Sequence, residues 1–252
     1  MLREPSGASD TIVSSGGGIA AVADLAPPAP AQRRHRVTDP VIVLAARRAN
    51  GPAKRALDFF ASAAGLVFLA PLLLTVAILI KLHDGGPALF GHKRAGRYSK
   101  PFRCWKFRTM HVNAAEILER HIAENPVAAA EWRATQKLMD DPRVTAIGRF
   151  LRATSIDELP QLVNILLGEM SIVGPRPVPK KELDERYAAD RRYYLLVRPG
   201  LTGLWQVSGR SNTTYERRVA LDRQYIVNWS FVRDLEIMLR TVPAVLKSEG
   251  AR

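Results

Sequence analysis

Two adjacent carboxylates, Asp157 and Glu158, stand in the stretch TSIDELPQLVNILLGEMSIVGPRP, which runs from Thr154 to Pro177. An ionised Asp is a nucleophile toward phosphorus or a ligand for magnesium. A few residues on, Gly174-Pro175-Arg176-Pro177 follows the short apolar run Met170 to Val173. A stiff loop that holds an Arg beside a carboxylate pair suits phosphate chemistry, because guanidinium groups grip phosphate oxygens two at a time. Capping alone would account for an isolated S-x-D-E pattern. The Arg-bearing loop downstream sets this one apart.

The elements that must position these groups follow from the same stretch. Pro160 fits only the first turn of a helix, so the apolar run Leu159 to Leu167 predicts a helix starting near Asp157. Ser155 and Glu158 have capping-box spacing, and Gly168 supplies a C-terminal stop. The acid pair is thereby predicted at the positive end of a helix dipole, where a carboxylate stays ionised. Met170 to Val173 reads as a strand, and Ile147 to Ala153 as a short basic helix bringing Arg149 and Arg152 toward the acids.

The chain has 252 residues and a formal net charge of +13, enough for one domain with a real core. The imbalance predicts an anionic partner: nucleic acid, a membrane surface or phosphorylated substrates. Cys104 is the sole cysteine, which excludes an intrachain disulfide, and no Cys/His cluster has zinc spacing. Residues 1–50 are rich in Ala, Gly, Pro and Ser, with basic clusters at Arg33-Arg34 and Arg47-Arg48. They read as a disordered basic tail, at least up to about Pro40, and do not resemble a signal peptide.

From Phe59 to Ile80 there is no charged residue. As a helix that is roughly 33 Å, enough for a hydrocarbon core. Ala70-Pro71 falls at its midpoint, and both flanks are basic: Lys54 and Arg55 before it, Lys81, Lys93 and Arg94 after it. Basic flanks favour the cytoplasmic side, so residues 51–83 are expected to form a re-entrant helix broken at Ala70-Pro71, with a straight span as the alternative. Two short strands are predicted next, Ala88 to Lys93 and Phe102 to Thr109, in a block that carries Lys106 and Arg108. Ala114 to Asn125 and Val127 to Met139 read as surface helices. Glu182 to Leu196 reads as a charged helix, Leu204 to Val207 as a strand, and Ser208-Gly209-Arg210 as a turn that aims another Arg. Tyr215 to Val227 and Phe231 to Lys247 close the chain as helices. The fold class is α+β: a membrane helix joined to a mostly helical domain over residues 84–252, with short antiparallel strands.

Taken together these segments resemble the bacterial sugar transferase family, the monotopic phosphoglycosyl transferases. The matching motifs are Lys54-Arg55-x-x-Asp58, Lys106-Phe107-Arg108-Thr109-Met110, Arg152-x-x-Ser155-x-Asp157-Glu158-Leu159-Pro160-Gln161, Ser171 through Pro177, and Pro199 through Arg210. They cover nearly everything from Lys54 onward and are similar to the short members that begin extracellular polysaccharide assembly. The resemblance implies transfer of a hexose 1-phosphate, galactose or glucose, from a UDP-sugar to undecaprenyl phosphate at the inner membrane, with the domain on the cytoplasmic face. It implies Asp157 as nucleophile and Mg²⁺ ligand, Glu158 as partner carboxylate, and Arg152 and Arg176 on the diphosphate, with Lys106 and Arg210 as further phosphate contacts. Inner-membrane lipids are an implied partner, self-association as a homo-oligomer is left open, and no nucleic acid is expected. The rival readings are a membrane-anchored nucleic-acid binder, which lacks any recognisable binding motif, and a non-catalytic scaffold of polysaccharide assembly.

Overall fold

The computed structural model describes residues 40–209 and 213–246. Arg210, and the tail before Pro40, lie outside the described residues. The chain begins with two helices, α1 (Pro40–Arg48) and α2 (Pro52–Asp84). α1 lies inside the stretch expected to be disordered tail. Its buried Ile42 and Ala46 join Tyr193, Val197, Leu221 and Tyr225 in the largest apolar cluster, so Pro40–Arg48 belongs to the packed body.

α2 spans 33 residues, about 50 Å. Pro71 lies within it rather than ending it. One face meets the rest of the protein along its whole length. Lys54, Asp58, Ser62, Val76 and Ile80 are buried, and Leu66, Leu69 and Leu73 pack between them. The spacing of three and four residues is that of a single helical stripe. The opposite face is apolar and bare, with Phe60, Val67, Phe68, Leu74 and Leu82 all more than 60% exposed.

β1 (Leu89–Ala95) and β2 (Pro101–Phe107) form an antiparallel ribbon, as the alternation predicts. α3 (Ala114–Glu124) and α4 (Pro126–Thr135) are the expected surface pair. α5 (Ala146–Ala153) leads into a 3-10 turn, Ile156–Glu158, and then α6 (Gln161–Leu166). The helix after the acid pair is thus shorter and later than predicted, but it does stop at Gly168, in the left-handed conformation at φ +81°.

β3 (Ser171–Val173) pairs in parallel with β4 (Gly200–Thr202), a second sheet of different sense from the first. The strand expected at Leu204 to Val207 is a run of turns. Pairing falls on Gly200–Thr202 because those residues meet β3, while Leu204 and Trp205 bury their side chains in the core. The predicted helix Glu182 to Leu196 is divided into α7 (Lys180–Arg186), a 3-10 turn at Ala188–Asp190 and α8 (Arg191–Tyr194). Tyr187, Tyr193 and Tyr194 are all buried across this division. α9 (Tyr215–Val227) and α10 (Phe231–Leu246) complete the body.

Candidate active site

The acid pair occupies the 3-10 turn between α5 and α6. Ser155, just before it, is left-handed at φ +57° and makes no capping bond, so the predicted capping box does not form. A non-glycine residue pays about 1–2 kcal/mol to sit there. The backbone accepts that cost where the turn must point two carboxylates into one space. The cationic surroundings of the pair come from side chains rather than from a helix dipole.

Lys106 is the centre of those surroundings. Its Nζ lies 2.7 Å from Glu158 Oε1 and 3.4 Å from Asp157 Oδ2. Asn164 sets this placement. Fully buried on α6, its Oδ1 accepts from Trp105 N–H at 3.0 Å and its Nδ2 donates to the Arg103 carbonyl at 2.7 Å. The strand that carries Lys106 is thus bolted to the helix that follows the acids. At the other end of α6, Arg55 donates to the Ile165 and Leu166 carbonyls, both at 2.6 Å. A cation on the last carbonyls of a helix is favourable.

Arg176 approaches the same Glu158 oxygen, with Nη2 4.0 Å from Oε1, and its guanidinium lies over Trp205 at 5.5 Å. Arg152 flanks Asp157 electrostatically, and its Nε donates to Thr109 Oγ1 at 3.0 Å. Gly148 makes that possible. A Cβ there would stand 2.0 Å from the Thr109 carbonyl oxygen, so only glycine lets α5 come so close. Arg149, expected nearby, instead donates to the Val144 carbonyl.

The structure therefore brings Asp157, Glu158, Lys106, Arg152 and Arg176 together. Ala70 and Pro71 lie in the middle of α2, and no contact with the acid pair is made by either among the described residues. Asn164 and Thr109 are supports that the sequence reading missed. Thr109 sits inside a motif, whereas Asn164 is signalled only as a polar residue, beside Gln161, in an apolar run.

Burial pushes the Asp157 carboxyl above the ordinary carboxylate range, Lys106 pulls it back, and the neighbouring Glu158 raises it again. Asp157 is 7% exposed, so its charge is held by neighbouring side chains rather than by solvent. Cys104 is excluded as a nucleophile, since burial pushes its thiol up to about 11. Among the described residues no three acidic, His or Cys side chains converge on one point. Mg²⁺ usually takes one or two carboxylates and fills its remaining positions with water and substrate phosphate. Asp157 beside a diphosphate fits that pattern, and a closed zinc-type cage does not.

A family model described as bacterial sugar transferase matches residues 49–248. The exopolysaccharide production protein ExoY of Rhizobium meliloti is 51% identical over 207 residues, covering 82% of this chain and 91% of the relative. The undecaprenyl-phosphate galactose phosphotransferase of Salmonella typhimurium is 48% identical over 82% of this chain, which spans only 43% of that larger protein. The UDP-glucose:undecaprenyl-phosphate glucose-1-phosphate transferase of Caulobacter vibrioides is 45% identical over 79% of this chain and 71% of its own length. With four-fifths of its residues matched at this level, and with the motif residues gathered around one acid pair, the chain belongs to the bacterial sugar transferase family.

Proposed function

We propose that this protein transfers hexose 1-phosphate, galactose or glucose, from a UDP-sugar to undecaprenyl phosphate, the first membrane step of exopolysaccharide synthesis. The observation that carries this reading is the acid pair bridged by Lys106 and flanked by Arg152 and Arg176. A carboxylate and a diphosphate repel by roughly 4 kcal/mol at 4 Å and an effective dielectric near 20. Three cationic side chains beside one carboxylate pair reverse that sign.

In the first step a carboxylate oxygen of Asp157 attacks the sugar-bearing phosphorus. The bond to the bridging oxygen breaks, and that oxygen leaves with the electron pair as UMP. In the second step a phosphate oxygen of the lipid attacks the same phosphorus, and Asp157 leaves as a carboxylate. Splitting the transfer this way lets a soluble donor and a membrane-bound acceptor take turns at one site. Lys106 holds the pair in position and favours its ionised form. Glu158 serves as base or orients the metal. Asp157 would hold Mg²⁺, which would supply further charge neutralisation when bound.

The bare apolar face of α2 is taken as the membrane-embedded surface, re-entrant from the cytoplasmic side of the inner membrane. In support, α2 is fastened to the body at its start, middle and end. Lys54 reaches β3, Leu69 the ribbon and Ile80 α5. Fastening along its length favours re-entry over a straight span. Phe150 on α5 and Leu167 after α6, both exposed and on either side of the acid-bearing turn in sequence, support a site near the membrane surface, where the lipid phosphate lies.

The test is UMP release from UDP-galactose and UDP-glucose, with undecaprenyl phosphate and Mg²⁺, followed by trapping of radiolabelled sugar phosphate on the protein. Label is expected on wild type and absent from Asp157→Asn. Label retained on Asp157→Asn, or no turnover with any UDP-sugar, overturns the reading. The second outcome would favour the non-catalytic scaffold.

A further inference from the structure

Arg94 is a cation with nothing to hold. It is half-buried on β1, yet among the described residues no hydrogen bond or ion pair engages its guanidinium. Its position is closely determined. The ribbon register pairs Arg94 with Phe102, His92 with Cys104 and Phe90 with Lys106. Directly opposed residues share a face, so Arg94 and Lys106 lie on the same face with Cys104 between them. The next residue, Ala95, donates its N–H to the Val178 carbonyl at 2.9 Å and accepts from Tyr194 Oη at 3.1 Å. Tyr194 Oη also accepts from Val178 N–H at 3.2 Å. These bonds clamp the chain at Arg94 to the chain two residues past Arg176.

The acids nearby are already engaged. Glu182 accepts from Tyr215 Oη at 2.9 Å and pairs with Arg218 at 3.6 Å. Glu158 is paired with Lys106. Arg94 and Arg176 oppose each other's charge, and the acids beside them, Glu158 at 4.0 Å from Arg176 and Glu182 acting on Arg94 through space, are shared with Lys106 and Arg218. Such an arrangement is stable when an anion lies between them, and a phosphate accepts from two forks at once.

The order of charges around the site says which phosphate. Arg152 acts on Asp157, Lys106 bridges Asp157 and Glu158, Arg176 stands 4.0 Å from Glu158, and Arg94 acts on Arg176. In-line displacement puts the leaving group on the side of phosphorus away from the nucleophile. With the sugar-bearing phosphorus at Asp157, the rest of the diphosphate extends past Glu158 toward Arg176 and Arg94.

We propose that Arg94, paired with Arg176, holds the nucleoside-bearing phosphate of the donor and takes up the charge that develops on it as the nucleoside monophosphate leaves. This rests on the transferase reading of the site. Arg94 forms and breaks no covalent bond. It neutralises the oxygen that receives the electron pair of the broken phosphoanhydride.

The test is UMP binding to the full-length protein in nanodiscs, by titration calorimetry, alongside UMP release from UDP-galactose and UDP-glucose. In Arg94→Gln, UMP affinity is expected to fall about 10-fold or more, the loss of a charge-assisted pair, with donor KM raised. Lipid-dependent discharge of preformed phosphosugar-enzyme is expected to stay at the wild-type rate. Arg103→Gln, on the exposed opposite face of the ribbon, is expected to bind UMP as wild type does. UMP affinity in Arg94→Gln within about 2-fold of wild type overturns the assignment of Arg94 while leaving the transferase reading intact. A wild-type protein that neither binds UMP nor releases it from either UDP-sugar overturns both. Should Arg94→Gln fail to fold, Arg94→Lys decides in its place, because lysine keeps the charge and loses the fork. Affinity reduced several-fold supports the proposal, and unchanged affinity overturns it.

Discussion

Asp58, on the apolar helix α2, accepts a hydrogen bond from Ser171 Oγ on β3 at 3.0 Å, across 113 positions of sequence. The same oxygen, Oδ1, accepts from Ile172 N–H at 2.9 Å. Five residues after Ser171 the chain reaches Arg176, so this contact ties the long apolar helix to the loop that carries Arg176. Asp58→Ala leaves a buried N–H and hydroxyl without their acceptor and is expected to cost about 1–3 kcal/mol for each, with a clear fall in transfer rate. Asp58→Asn keeps an oxygen in the same place and is expected to retain most of both. Thermal unfolding and UMP release read the two effects. Equal losses in Ala and Asn would mean that the charge, not the acceptor, matters.

One helical turn earlier, Lys54 Nζ lies 2.5 Å from Asp234 and donates to the Val173 carbonyl at 3.0 Å, with both side chains almost fully buried. Removing one partner of a buried pair strands the other charge. Lys54→Met is therefore expected to destabilise by roughly 3–5 kcal/mol. The double variant Lys54→Met/Asp234→Asn is expected to recover part of that loss, since Tyr225 and Trp229 still hydrogen-bond position 234. Denaturant unfolding of the singles and the double closes the cycle. Strict additivity would contradict the pairing.

Asp157→Asn is expected to lower transfer by at least about 10³-fold while raising thermal stability at pH 8. The sign follows from the raised carboxyl of Asp157. An acid whose folded pKa lies above its unfolded value contributes stability fully below the unfolded pKa and loses it as pH rises through the folded one. Wild type at pH 8 therefore carries a cost that the amide avoids. The gap in melting temperature should close as pH falls through the ordinary Asp range. A variant less stable than wild type at pH 8 would contradict this.

Asp222 gives a second pH signature, away from the acid pair. Burial raises its carboxyl to about 7, Tyr187 Oη donates to Oδ2 at 2.8 Å, and Oδ1 has no partner. Its stabilising contribution is lost as pH climbs through 7, so wild-type melting temperature should fall between pH 6 and pH 8. Asp222→Asn should flatten that slope. An unchanged slope would show that Asp222 titrates elsewhere.

Ser155 tests the strained turn. Ser155→Gly is expected to stabilise by about 1 kcal/mol or less, offset by glycine's larger unfolded-state entropy. Ser155→Val, branched at Cβ in a left-handed conformation, is expected to destabilise by more than that and to lower activity by displacing the neighbouring carboxylates. Melting temperatures and UMP release of the pair distinguish the two. A harmless valine would mean that the turn is not held in this conformation.

Local pattern was enough to locate the chemistry and much of the skeleton. The uncharged run Phe59 to Ile80, the antiparallel ribbon, α5, α9 and the stop at Gly168 were all legible, because each follows from side-chain periodicity or from one residue's backbone preference. Asp157, Glu158 and Arg176 were legible as a group because they are close in sequence.

What sequence could not decide is which groups share a space across long separations. Lys106 reaches the acids only because Asn164 fastens β2 to α6. Lys54 and Arg55, read as flanking charges of a membrane segment, turn inward onto Asp234 and the end of α6, because buried carboxylate and carbonyl oxygens there need donors. The parallel pairing of β3 with β4, the helix at Pro40–Arg48 and the break after Arg186 were missed for the same reason. Short elements have too little local preference to specify themselves, and the surface that they bury against decides their form.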